Sequence, residues 1–128
     1  MSYDPRLIFA QICVCLDQTP ARSLLYLSRE FDIDIRTIQN VIASMTGGVK
    51  FGNFKNDILI ARLTRLFLAK PSSPISELSL DLGYKSCEAF ARAVRRASGV
   101  SPAQFRNRVI GEASTQKARV FKASATVN

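Results

Sequence analysis

The 128-residue chain contains no histidine and no tryptophan. Without histidine, every mechanism that uses an imidazole as base, acid or metal ligand is excluded. Cysteine is nearly as scarce. Cys13, Cys15 and Cys87 are one thiolate short of a four-cysteine zinc site, and no His stands ready to complete one. No metal and no other cofactor is therefore expected. There is also no G-x-x-x-x-G-K phosphate loop, and no Ser or Cys with an identifiable base, so an enzyme is the least expected class. Long hydrophobic runs are missing too. The longest, Leu7 to Leu16, is interrupted by Gln11 and falls far short of the roughly 20 residues that span a bilayer. A membrane is not an expected partner.

What is present is a composition that can build a core: 47% of residues are hydrophobic, too many for a disordered basic tail. The formal net charge is +8, and it is unevenly placed. Residues 1–83 carry nine Lys/Arg against eight Asp/Glu, whereas residues 84–128 carry nine against two. A polyanion is the natural partner of such a surface, although basic residues also serve solubility alone.

Punctuation along the chain predicts helices throughout. Asp4-Pro5 is a helix start, an N-cap side chain followed by Pro at the first helical position. That helix is expected to run to about Gln18, before Thr19-Pro20, and a second from about Ala21 to Phe31. Asp34 caps a third, with an apolar stripe of Ile38, Val41, Ile42 and Met45, stopped by Gly47-Gly48. A longer helix from about Phe51 to Ala69 ends at Pro71-Ser72-Ser73-Pro74. Ile75 to Leu82 reads as a short helix closed by Gly83. Ser86 caps the next, to Ser98, with Phe90, Ala93, Val94 and Ala97 inward and Gly99 as its stop. Ser101-Pro102 opens a last helix expected to end near Val109, and residues 111–128 read as a flexible tail.

The chain also repeats itself. Leu24, Leu27, Ser28 and Phe31 recur 51 residues later as Ile75, Leu78, Ser79 and Leu82. After a one-residue insertion, Asp34, Ile38, Ile42, Met45 and Gly47 return as Ser86, Phe90, Val94, Ala97 and Gly99. Each unit is a short helix, a tight turn, a capped helix and a glycine stop, which is a helix-turn-helix. One such pattern is weak; two in register are specific. The expected organisation is a first subdomain at 4–48, a linking helix at 49–70 and a second subdomain at 71–110. A helix from Phe51 to Ala69 would be about 28 Å long, near the ~34 Å between successive major grooves on one face of B-DNA. A single chain could then present two recognition helices to adjacent grooves, so a monomer on DNA is expected rather than an obligate dimer.

At the second unit the residues fall into a known pattern. Ile75-Ser-Glu-Leu-Ser-Leu-Asp-Leu-Gly83-Tyr84-Lys-Ser86-Cys-Glu-Ala-Phe90-Ala-Arg92-Ala-Val-Arg95, then Gly99-Val-Ser101-Pro102 and Phe105-Arg106, resembles the signature of the AraC/XylS family of bacterial transcription regulators. The first unit and linking helix resemble the rest of that family's DNA-binding domain, so the likeness covers about residues 5–109. The fold this implies is all-α, with seven helices in two helix-turn-helix subdomains joined by one long helix. Three departures stand out. Asn40 replaces a usual Arg, and Ile42-Ala43 a usual aromatic-basic pair; Gly47-Gly48 adds a residue. Leu59 stands where the family tends to have Arg, unless the register shifts to Arg62. The second unit is therefore expected to dominate DNA affinity. Family members often add a sensor domain, for which a chain of this length leaves no room.

The resemblance implies double-stranded DNA as partner, in a cytoplasmic, nucleoid-associated regulator that touches or blocks RNA polymerase. The odd cysteine count, without a signal-like N-terminal stretch, agrees with reduced cytoplasmic thiols. In the second recognition helix, Cys87, Glu88, Ala91 and Arg92 are the candidates to meet base edges. Arg92 suits guanine O6 and N7, and Glu88 suits cytosine N4. The bland alternative is a solvated Glu88–Arg92 pair, worth only ~0.3–0.5 kcal/mol. Lys85, Ser86, Arg95, Arg96 and Arg106 are phosphate candidates, which set register without reading sequence. In the first unit, Arg36, Gln39 and Asn40 are base-reading candidates and Thr37 a phosphate donor. Cys87 is either a reactive thiol beside Lys85 and Arg92 or a small residue tolerated at the groove. Cys13 and Cys15 read as packing residues. A protein-interaction module, or a non-specific DNA-binding protein on the same shell, is the alternative.

Overall fold

The computed structural model describes residues 4–126, with side chains to residue 116. Among these there are seven helices and no strand: α1 Pro5–Gln18, α2 Leu24–Phe31, α3 Ile35–Thr46, α4 Phe51–Ala69, α5 Ile75–Asp81, α6 Cys87–Ser98 and α7 Pro102–Thr126. No described helix is long and apolar enough to cross a membrane.

Local chemistry sets most boundaries. The Asp4 carboxylate accepts from the Arg6 N–H at 3.0 Å, and Pro5 takes the first turn of α1. Asp34 and Ser86 do the same for α3 and α6, accepting from the N–H groups of Arg36 and Ala89. At the start of α7 the cap is reciprocal: Ser101 Oγ accepts from Gln104 N–H, and Gln104 Oε1 accepts from Ser101 N–H. α4 and α5 begin without a side-chain cap, at Lys50 and Pro74.

Three expectations shift. α2 starts at Leu24 rather than Ala21, because Ser23 caps it through Tyr26 N–H while the Arg22 N–H bonds Thr19 and closes a separate turn. Met45 ends the α3 stripe exposed at 39%, since the helix leaves the core one turn earlier at Ile42. The last helix does not stop near Val109 but continues to Thr126, through the segment read as a tail. No proline interrupts residues 103–126, which are rich in Ala, Gln, Lys and Arg, and the lone Gly111 is a weak breaker. Residues 127 and 128 lie outside the described residues.

The apolar faces gather into two cores. The first holds Ile8, Ile12 and Leu16 of α1, Leu27 of α2, Ile38, Val41 and Ile42 of α3, and Phe54 of α4. Cys13 and Cys15 pack against its edge, and burial pushes both thiols up, Cys15 with opposed contributions from Arg22 and Glu30. The second holds Leu59, Leu63 and Phe67 of α4 with Leu78, Leu82, Phe90, Val94, Phe105 and Val109. α4 thus feeds Phe54 into one core and Leu59 onward into the other, which makes it the shared beam. Each fully buried Leu or Phe contributes about 1.5–3 kcal/mol by leaving water. Arg65 of α4 pairs with Asp17 of α1; both are half exposed, so the pair adds little.

Candidate nucleic-acid interface

The two helix-turn-helix turns are built alike. In the first, Asp32 adopts the left-handed conformation (φ 51°), and the Ile33 N–H donates to the Ser28 carbonyl at 3.0 Å. In the second, Gly83 is left-handed (φ 89°), and the Tyr84 N–H donates to the Ser79 carbonyl at 3.0 Å. Asp32 and Gly83, Ile33 and Tyr84, Ser28 and Ser79 are each separated by the 51 residues of the sequence repeat. This backbone turn fixes how the following helix leaves the one before it.

The second turn aims α6. Phe90 and Val94 are completely buried, and Ala93 and Ala97 pack beside them, so the opposite face is left to solvent. On it Cys87, Glu88, Arg92, Arg95 and Arg96 are exposed and Ala91 is half-buried. Glu88 and Arg92 form no ion pair among the described residues. Cys87 is exposed, with its sulfur 3.7 Å from the buried Ser79 hydroxyl. Lys85 is exposed in the turn. The Ser86 hydroxyl accepts the Ala89 N–H, which leaves its own proton available to an acceptor outside.

The first turn aims α3 with the same economy of contacts. Ile38, Val41 and Ile42 face the core, and Arg36, Gln39 and Asn40 are exposed on the other side. Thr37 is half-buried beside them. Arg106 is placed differently from the other phosphate candidates. Its guanidinium donates to the Ser73 carbonyl at 3.1 Å and ties α7 to the loop between α4 and α5. At the family's Arg position, Leu59 is 2% exposed in the second core. Arg62 is half-buried, and its Nε has no hydrogen-bond partner.

One cationic residue beside this surface escaped the sequence reading. Lys55 lies on α4, four residues after Phe51 and four before Leu59, and lines a cleft of about 380 Å³ between α4 and α6. Gly52, Asn56, Tyr84, Arg92 and Arg96 also line it. Burial, reinforced by Arg96, holds the Lys55 ammonium below the ordinary lysine range. Burial pushes the Tyr84 phenol up to about 12 against the opposing pull of Arg96, and its hydroxyl is buried without a partner. The signal in the sequence was a lysine on the i, i+4, i+8 face whose other members are Phe51 and Leu59.

Comparison with known proteins gives a consistent result. The family model for a helix-turn-helix domain matches residues 27–108. A search of curated protein sequences finds no match. Among solved structures, the chain resembles the C-terminal domain of AraT, a response regulator from Geobacillus stearothermophilus. The TM-score is 0.64 at 22% identity, covering 81% of this chain and 84% of that one. It also resembles the C-terminal domain of the two-component response regulator yesN from Fusobacterium nucleatum, with TM-score 0.62, 17% identity, and coverage of 79% and 95%. A DNA-binding transcriptional dual regulator from Escherichia coli K-12 matches with TM-score 0.56 at 14% identity, over 87% of this chain and 96% of that one. At these identities the structures speak for the fold.

Proposed function

The chain belongs to the AraC-type helix-turn-helix family, and from that premise we propose that it is a sequence-specific DNA-binding transcription regulator. Its two recognition helices, α3 and α6, enter successive major grooves of one duplex from a single polypeptide. Arg36, Gln39 and Asn40 on α3, and Cys87, Glu88, Ala91 and Arg92 on α6, meet base edges. Thr37, Lys85, Ser86, Arg95, Arg96 and Arg106 meet phosphates and fix the register; Arg106 does so with the nitrogens left after its bond to Ser73. No chemical transformation and no cofactor enters this reading. It acts on the chromosome, in the bacterial cytoplasm, by occupying a site and touching or blocking RNA polymerase.

The observation that carries the reading is the exposed face of α6. Arg92, Arg95 and Arg96 stand together on a helix whose back is sealed by Phe90 and Val94, without an acidic partner among the described residues. A titration of duplex DNA over a range of salt tests it. Affinity falls steeply as salt rises, with a logarithmic slope of about −0.9 per phosphate neutralised. A protein with no affinity for any duplex even at low salt would contradict the reading and favour an interaction module.

A further inference from the structure

The cleft between α4 and α6 gathers Lys55, Arg92 and Arg96 with no compensating carboxylate. Among the described residues the ion pairs are Arg6–Asp4 and Arg65–Asp17, and neither touches this cleft. Lys55 is the informative member. It occupies an inward position where Phe51 and Leu59 are its neighbours along the helix face, and a leucine or methionine would sit there without losing hydration. Instead the ammonium is half-buried and pressed against the charge of Arg96. Its hydrogen bond to the Ala21 carbonyl is long, 3.4 Å, and leaves two of its three donors to the cleft and to water. Such an arrangement raises the energy of the free protein. An anion between the cations relieves the repulsion and takes up the donors that otherwise face water.

The rest of the wall suits an anion of phosphate size. Gly52 presents bare backbone with open space in front of it, and the Asn56 side chain adds an amide. The cleft volume of about 380 Å³ accommodates a phosphate group and the atoms attached to it. Arg92 stands on the same wall and on the exposed face of α6, so the cleft borders the face that would meet DNA.

We propose that the α4–α6 cleft is a phosphate-binding site in which Lys55 and Arg96 hold the phosphate group and Asn56 assists. The phosphate comes either from the DNA backbone between the two recognition helices or from a free phosphorylated small molecule. In the first case the linking helix is itself part of the DNA-binding surface, and this arm rests on the function proposed above. In the second, the ligand shares Arg92 with the DNA face and opposes DNA binding.

Two titrations of the full chain, each on wild type, Lys55→Met and Lys55→Arg, decide the matter. The first follows duplex binding against salt. A backbone phosphate predicts that Lys55→Met lowers the magnitude of the salt slope by about 0.9 and weakens all duplex sequences alike, while Lys55→Arg restores both. The second follows backbone amide resonances against inorganic pyrophosphate, with chloride at equal ionic strength as control. A free-anion site predicts saturable shifts at Lys55, Asn56 and Arg96 that vanish in Lys55→Met, and displacement of DNA by pyrophosphate. Thermal melting verifies that Lys55→Met folds, and Lys55→Gln, which keeps a polar end, provides the same readouts should it not. The proposal is overturned if the neutralised variant keeps the wild-type slope and pyrophosphate moves no cleft amide beyond the chloride control. If wild type binds no duplex, the proposed function fails, and the pyrophosphate titration alone judges the cleft.

Discussion

Thr19, in the turn after α1, lies against Gly83, in the turn between α5 and α6, so closely that a methyl group on the glycine would collide with the threonine methyl. The same junction carries a hydrogen bond from the Ala21 N–H to the Leu82 carbonyl at 3.4 Å and the Lys55 contact to Ala21. The α1–α2 connection is therefore joined to the turn of the second helix-turn-helix unit, so the two halves meet directly as well as through α4. That junction holds the two halves of the fold against each other.

Gly83 and Gly99 share a left-handed backbone, with φ of 89° and 84°, but only Gly83 faces a neighbour. Gly99→Ala should cost about 1–2 kcal/mol from backbone strain alone. Gly83→Ala should cost more, by about 1–3 kcal/mol for the steric overlap. Adding Thr19→Ser, which removes the colliding methyl, should recover most of that excess and leave the backbone strain. Chemical denaturation of the three variants measures this. Equal losses at the two glycines would mean that the turns do not bear on each other.

Tyr84 offers a test of stability against pH. Its phenol is raised from 10.0 to about 12 by burial. Below about 10 both folded and unfolded chains keep the proton, and the neutral phenol's contribution is fully present. As pH climbs from about 10 towards about 12, the unfolded chain ionises first and stability falls. Tyr84→Phe should remove this dependence. At neutral pH it should be neutral or stabilising, because it deletes a buried hydroxyl that has no partner. A clear loss of stability at pH 7 would show that the hydroxyl is satisfied in solution.

Arg92 and Arg95 are both exposed on α6, yet different roles are proposed for them. Arg92→Ala should lose about 1–3 kcal/mol of binding and relax preference at one base position. Arg95→Ala should weaken every sequence alike and reduce the salt slope by about 1. Binding measured on a panel of singly altered duplexes separates the two patterns. The same pattern for both would dissolve the distinction.

The two recognition helices are not expected to contribute equally. Residues 84–128 carry nine Lys/Arg against two Asp/Glu, while residues 1–83 are nearly balanced. Replacing Arg36, Gln39 and Asn40 together by Ala should therefore weaken binding less than replacing Arg92, Arg95 and Arg96 together by Gln. Affinity for one selected duplex, measured for both triple variants, ranks them. The reverse order would move the dominant contact to α3.

Much of this architecture was written in short-range chemistry. Asp4, Asp34 and Ser86 announce helix starts because their side chains satisfy N–H groups two or three residues on, a relationship visible along the chain. Gly47 and Gly99 mark stops for the same local reason. The 51-residue repeat alone places both turns. Less visible were competing local signals and whatever depends on neighbours remote in sequence. Ser23 competes with Ala21 for the start of α2 and wins through its own cap. The extension of α7 to Thr126 is hidden because a stretch rich in Ser, Thr and Ala reads as a tail, whereas its alanines favour helix and the one glycine costs only about 1 kcal/mol. The Lys55 cleft required knowing that α4 and α6 pack together, and the Thr19–Gly83 contact joins residues 64 apart in sequence. Arg106 reads like any basic residue near a helix start, because its partner Ser73 lies 33 residues away in sequence.

The central claim is that one chain reads DNA sequence through two helices held a groove apart. Selection of bound duplexes from a random pool, with the protein at monomer concentrations, tests it most directly. The account predicts an enriched site of two short boxes about one helical turn (10–10.5 base pairs) apart, the box under α6 being the better defined. A pool that stays random after repeated rounds, while the protein still binds DNA, would contradict it.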